Sequence, residues 1–250
     1  MNRWFTVLSP LAFIIIWHVA GTLGLLGETP LPAEVAVALG GLLRGEDPFL
    51  GEVLRIHVAV SLVRIMAGFA LAALCGIGLG LAMGWFPTVR IVMRPILEML
   101  RPIPPFAWVV LAILWFSTGN APAIFITFLG AFFPVALNTT AGVEGVSPVL
   151  REAASTLGAS RWDSLRMVAI PAAVPEIFTG LRVGLGVAWM SLIAAEMVGV
   201  GTRGLGLLIE TSKMVWRLDY AVAGMVVIGL VGFFLDFLMR WWSGYLLRWR

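Results

Sequence analysis

The 250-residue sequence predicts an all-α membrane protein: one domain of six transmembrane helices, with a helical loop projecting between the fourth and the fifth. Three observations predict it. Hydrophobic residues make up 60% of the chain and charged ones 12%, against about a quarter in soluble domains. Mean hydropathy is +0.98. Apolar runs also repeatedly reach the roughly 20 residues that cross a hydrocarbon core as a helix.

The spans fall near residues 6–27, 57–84, 95–116, 121–142, 175–199 and 219–242. Arg3 before the first run resembles the start of a signal peptide, but the run reaches Gly27 with no A-x-A site. It therefore reads as an uncleaved span. Between the first two spans, Pro32 suits a first helical turn, and Leu31, Val35, Leu39 and Leu42 form a helical stripe. That is an interfacial helix, ended by Gly45-Glu46-Asp47-Pro48.

In the second span Ala72, Gly76, Gly80 and Gly84 share one face, and Gly180, Gly184 and Ala188 repeat the device in the fifth. Small-xxx-small faces let helices approach closely in lipid, where no hydrophobic force drives association. They serve tight packing, and could also let helices rock. The third span opens with Pro102, Pro104 and Pro105, which break the helical backbone. Irregular backbone at that depth must be buried in protein or line a wet cavity. At the C-terminus, MRWWSGYLLRWR alternates Trp and Tyr with Arg, the composition of an interface anchor in lipid.

Arginine and lysine placement orients the chain. With the N-terminus inside, inner segments hold ten (Arg3, 90, 94, 101, 151, 161, 166, 240, 248, 250). Outer segments hold five: Arg44, Arg55, Arg203, Lys213 and Arg217. Arg64 and Arg182 lie within span ends and are left out. The bias places both termini in the cytoplasm.

Ionisable groups within spans are functional candidates. Glu196 is one, as a gate or a structural group. Asn138 is a second, polar candidate, and Trp108, Asn138 and Trp189 are the expected lining of a translocation path. His18 and His57 are solitary, and no metal-ligand spacing occurs, so no metal site is expected. Cys75, the one cysteine, reads as a small packing residue. Basic residues do not cluster, which argues against nucleic-acid binding.

The loop 143–174 carries REAASTLGASRWDSLRMVAIP, with five charges between Arg151 and Arg166. Insertion would cost on the order of 10 kcal/mol, so this is no span. Ser147 with Pro148 starts a helix, Gly158 stops it, and Ser160 with Asp163 caps a second short piece. Leu150, Ala153, Ala154 and Leu157 share one face, and Pro171 marks entry to the fifth span. The result is a two-helix cytoplasmic knuckle, whose motion would move two spans.

Glu152-Ala153-Ala154, then Gly158, then Val168-Ala169-Ile170-Pro171 resembles the EAA motif of ABC importer permeases. Val168 and Ile170 are conservative departures from the family's Ile-x-Leu-Pro. RPIPPFAWVVLAILWFSTG, FLGAFFPVALNT, TGLRVGLGVAWMSLIAAEMVG and RGLGLLI look like the nitrate, sulfonate and taurine branch. The resemblance runs from about residue 55 to the C-terminus, and it implies a type I importer fold. It further implies a permease dimer, two cytoplasmic ATPase subunits docked on the knuckle, and an extracytoplasmic solute-binding protein. Glu152, Ala153, Ala154, Leu157, Gly158 and Pro171 would be the coupling residues, and the solute a small anion. ATP and magnesium would belong to the partner subunits. The chain agrees on this point: G-x-x-x-x-G-K-[ST] is absent, and its one lysine, Lys213, has no such glycines. An ATPase-independent channel and an intramembrane enzyme are the alternatives; neither explains the knuckle.

Overall fold

A computed structural model describes residues 3–48, 51 and 53–246, with side chains from Leu8 onward. Phe49, Leu50, Glu52 and the last residues of the aromatic anchor, 247–250, lie outside it. The described residues are helices joined by short turns, with no strand among them.

The chain opens with α1 (Arg3–Thr22), which stops short of the expected Gly27 and is followed by turns. Then α2 (Pro32–Arg44) starts on Pro32, where the Leu31 N–H donates to the Glu34 carboxylate at 2.7 Å. It ends at Gly45, whose φ of 91° suits a residue without a Cβ. Val35, Ala38 and Leu42 are its buried stripe, while Leu39 is half-buried.

The second span is α3 (Leu54–Trp85), 32 residues long and so about 48 Å. The expected third span is not one helix. Instead α4 (Pro87–Leu100) ends at Arg101, a 3₁₀ turn covers Pro105–Trp108, and α5 (Val109–Phe116) follows at an 87° bend. The cause is local: Pro102, Pro104 and Pro105 have no N–H to continue the ladder.

The centre of the bundle is α6 (Asn120–Glu144), gripped on both sides by small residues. On one side stand Gly68, Gly76, Gly80 and Gly84 of α3. A Cβ at Gly80 would lie 2.6 Å from the Ala136 carbonyl, and one at Gly84 2.5 Å from the Val143 Cβ. On the other side, a Cβ at Gly180 would meet Asn138 at 2.8 Å and one at Gly184 the Ala131 carbonyl at 3.0 Å. Buried Ala188 lies against Gly130 of α6. Cys75 sits on the exposed face of α3, not in the packing. An apolar helix gives its sequence no mark of which face turns inward.

Next come α7 (Pro148–Thr156) and α8 (Arg161–Ser164). A π turn over Leu165–Ala169 joins α8 directly to α9 (Ile170–Met197). The knuckle's second piece is therefore no separate helix but the start of the fifth span, and the 37 residues Arg161–Met197 form one run. Pro171 and Pro175 sit inside that run, and the π turn, where the Ile170 N–H reaches back to the Leu165 carbonyl, absorbs the misfit. Finally α10 (Leu205–Met214) leads to α11 (Leu218–Leu246).

Among the described residues, four helices are long and apolar enough to cross a membrane alone, and the bent α4–α5 pair makes a fifth. The sixth expected span is α1, whose described apolar stretch is the shorter Leu8–Thr22.

Candidate functional site

Two opposite ends of the α6–α9 pair carry the chain's polar chemistry. At the α6 C-terminus, three residues separate Glu144 from α7, so α7 is tied closely to the bundle. Arg151 anchors it: its Nη2 donates to the Val143 carbonyl at 2.5 Å, and its guanidinium lies 5.8 Å from the Trp85 ring centroid. A cation at a helix C-terminus is favourable both for the dipole and for the orphan carbonyl. Arg161 lies likewise 5.8 Å from the Phe86 ring centroid. The two arginines clamp both arms of the knuckle onto the α3–α4 corner.

Gly158 has a φ of 80°; its N–H donates to the Ser155 carbonyl and that of Ala159 to the Ala154 carbonyl, each at 3.0 Å. This is the paired closure of a helix that glycine at this position permits. Ser160 and Asp163 then exchange hydrogen bonds, Asp163 N–H to Ser160 Oγ and Ser160 N–H to Asp163 Oδ2, both at 3.1 Å. By contrast the Ser147 side chain makes no cap hydrogen bond.

What the knuckle exposes is apolar. Leu157 is 88% exposed, and Val149, Leu150 and Trp162 also project outward, with Glu152 and Ala153 between them and Ala154 half-buried. Pro171 is exposed at the base of α9.

The other end is closed on itself. Glu196 is 1% exposed and pairs with Arg64 Nη1 at 2.8 Å. Ser61 Oγ lies 2.9 Å from both carboxylate oxygens, and the Gly206 N–H donates at 3.0 Å. Arg64 also donates to Asn120 Oδ1 at 2.9 Å and to the Arg203 carbonyl at 2.6 Å. One turn before Ser61, His57 pairs with Asp47 at 2.9 Å and contacts the Gly204 carbonyl at 3.1 Å. A buried charge needs partners of this kind, because its desolvation otherwise costs several kcal/mol. Five segments are joined there: α3, α6, α9, the start of α10 with the loop before it, and the turn after α2. Gly204, at a φ of 144°, lets the loop pass over Glu196, where a Cβ would meet the carboxylate carbon at 2.4 Å.

Of the expected path residues, Asn138 lines a cleft of about 370 Å³ between α6, α9 and the proline break. Its Nδ2 donates to the Pro134 carbonyl at 2.8 Å. Trp189 instead packs, 7% exposed, against Gly232 of α11, and half-buried Trp108 packs against the main core; neither lines that cleft. Sequence reasoning missed Arg64, although an arginine eight residues into an apolar run is a signal in itself.

An all-helical bundle broken at a proline cluster, with a helical knuckle before its penultimate long span, has the architecture of a type I importer permease. The family model described as "binding-protein-dependent transport system inner membrane component" matches residues 62–249, and the chain belongs to that family. The taurine transport system permease protein TauC of Escherichia coli is 41% identical over 228 residues, covering 91% of this chain and 82% of TauC. The bicarbonate transport system permease protein CmpB of Synechococcus elongatus is 33% identical over 253 residues, 97% of this chain and 90% of CmpB. The nitrate import permease protein NrtB of Synechocystis is 35% identical over 192 residues, 77% of this chain and 68% of NrtB. These relatives fall in the branch that the sequence resembled. Among solved structures, an amino acid ABC transporter crystallised with histidines shares the fold, with a TM-score of 0.58 at 19% identity. It covers 78% of this chain and 94% of its own. The chain is thus a multi-pass inner-membrane transport permease and not an enzyme, of a family that holds no cofactor of its own and implies ATPase and binding-protein partners.

Proposed function

We propose that this chain is the membrane subunit of an ATP-driven importer for a small solute bearing an oxyanion group, working by alternating access. Two copies pair across the membrane. An ATPase subunit docks on each knuckle, and an extracytoplasmic binding protein delivers the solute. ATP and magnesium act in the partner subunits. Both termini and the knuckle face the cytoplasm, in keeping with the arginine bias.

The single observation that carries this reading is the exposed apolar edge of α7, fixed to the bundle by Arg151 and by short links at both ends. Burying an exposed leucine contributes roughly 1.5–3 kcal/mol, so Leu157 favours a protein partner over water. Because α7 follows α6 after three residues and α8 runs without a break into α9, displacing the knuckle displaces both helices. The solute class rests on the relatives: taurine, bicarbonate and nitrate each carry a small oxyanion group.

The test is capture of the cognate ATPase subunits by the detergent-solubilised chain, with ATP hydrolysis stimulated by the binding protein. Wild type is expected to capture them, and Glu152→Lys with Leu157→Asp to lose them while still inserting in the membrane. Undiminished capture by that variant would end the coupling reading.

A further inference from the structure

We propose that Arg101 is the charge-selecting residue of the solute path, forming with Asn138 a way-station for an oxyanion group in the cleft below the proline break. The inference rests on the permease reading above and adds to it the residue that chooses the sign of the cargo.

The cleft, about 370 Å³, is walled mainly by apolar side chains such as Ile103, Leu137, Val183 and Val187. Arg101 and Asn138 supply its polar side chains, and no carboxylate lines it. Arg101 is also unlike the arginines nearby. Arg94 pairs with Glu98 at 2.8 Å, Arg90 with Glu144, and Arg182 with Asp236 at 2.8 Å. The Arg101 guanidinium makes no hydrogen bond or ion pair among the described residues, and Glu98, one turn back on α4, is already committed to Arg94.

The break places it there. Helix α4 ends at Arg101 because Pro102 and Pro104 cannot extend it, and the 87° bend carries the chain back into the bundle beside α6 and α9. An unpaired guanidinium offers forked N–H donors that match the oxygens of a carboxylate, sulfonate or nitrate. Asn138 keeps one amide N–H beyond that given to Pro134. Cation and amide donors in an apolar cleft, with no negative group, favour a passing oxyanion and repel a cation. A single weak station suits a path, where the solute must also leave.

The test reads the sign of the local potential without presuming which solute is carried. Cys75, the chain's one cysteine, is replaced by alanine, and Val183→Cys puts a thiol in the cleft. The assembled complex in detergent is treated with sulfonatoethyl methanethiosulfonate, an anion, or trimethylammonioethyl methanethiosulfonate, a cation. Each rate is divided by that of a free thiol. The thiolate forms a mixed disulfide and expels methanesulfinate in both cases, so any change in the thiol's acidity cancels in the ratio. One-sign clefts with apolar walls raise local counter-ion levels tenfold or more, so the anion-to-cation ratio should fall about tenfold on Arg101→Gln. It should survive Arg101→Lys, and shrink in high salt.

In proteoliposomes given taurine, nitrate and bicarbonate in turn, Arg101→Gln should slow whichever anion wild type carries by about tenfold. An unchanged reagent ratio, or no reaction of either reagent at Val183→Cys, overturns the proposal. Failure of the wild-type complex to assemble or hydrolyse ATP would count against the permease reading, and the reagent ratio on the same chain would still judge Arg101.

Discussion

At one end of α9, Glu196 is 1% exposed, held by a guanidinium, a hydroxyl and a backbone N–H. At the other, beyond 28 residues or about 42 Å of helix, Leu157 stands 88% exposed on an arm fixed only at its base. The first end spends its polar groups on one another and ties five segments together. The second satisfies its backbone through caps and leaves its apolar side chains unmatched. On the proposed reading the clamp, which answers its own bonds, is the fulcrum, and the exposed apolar edge is the contact for another protein. The closely packed, glycine-lined α3–α6–α9 stack lies between them and, on that reading, carries movement from one to the other.

The comparison breaks first at the clamp. Glu196→Ala leaves Arg64 buried without a counter-charge and should cost about 3–5 kcal/mol, read as a large fall in the thermal unfolding temperature in detergent. A variant as stable as wild type would mean that the clamp holds nothing. A middle-sized effect is expected in the stack. Gly80→Ala forces a Cβ against Thr139 and the Ala136 carbonyl and should cost about 1–3 kcal/mol, whereas Gly78→Ala meets nothing within 4 Å and should be neutral or slightly stabilising. If the two alanines behaved alike, close approach of α3 and α6 would not matter. Smaller and local is the response of the knuckle's caps. Gly158→Ala, at a φ of 80°, should cost about 1–2 kcal/mol, and Ser160→Ala about 1 kcal/mol. Both should appear as faster amide hydrogen exchange confined to the knuckle, with no change at α3 or α6.

Much of this was legible in the sequence. The period-four glycines faced one neighbour, and the packing only adds Gly68 to their row. The Ser160–Asp163 box and Gly158 act locally, within three or four residues, so a linear reading reaches them. The proline cluster announced a break but not its angle: dihedral rules say that a helix stops, and only the packing of α5 decides where the chain goes next. The clamp was not legible. Ser61 and Arg64 are 135 and 132 residues from Glu196, and nothing local joins them. The same holds for the unbroken junction of α8 with α9, where the Asp163 cap signals a start and Pro171 signals a stop. A π turn reconciles the two, and no propensity rule anticipates it.

Whether the knuckle transmits while the clamp holds is decided by Leu157→Asp in the reconstituted importer. Unfolding temperature and solute moved per ATP hydrolysed are read on the same preparation. Leu157 is exposed and caps only the short α7, so an acid at that C-terminus should cost no more than about 1 kcal/mol and leave the unfolding temperature close to the wild-type value. Transport per ATP should collapse. Full transport with normal ATPase association, or a loss of stability matching that of Glu196→Ala, would contradict it.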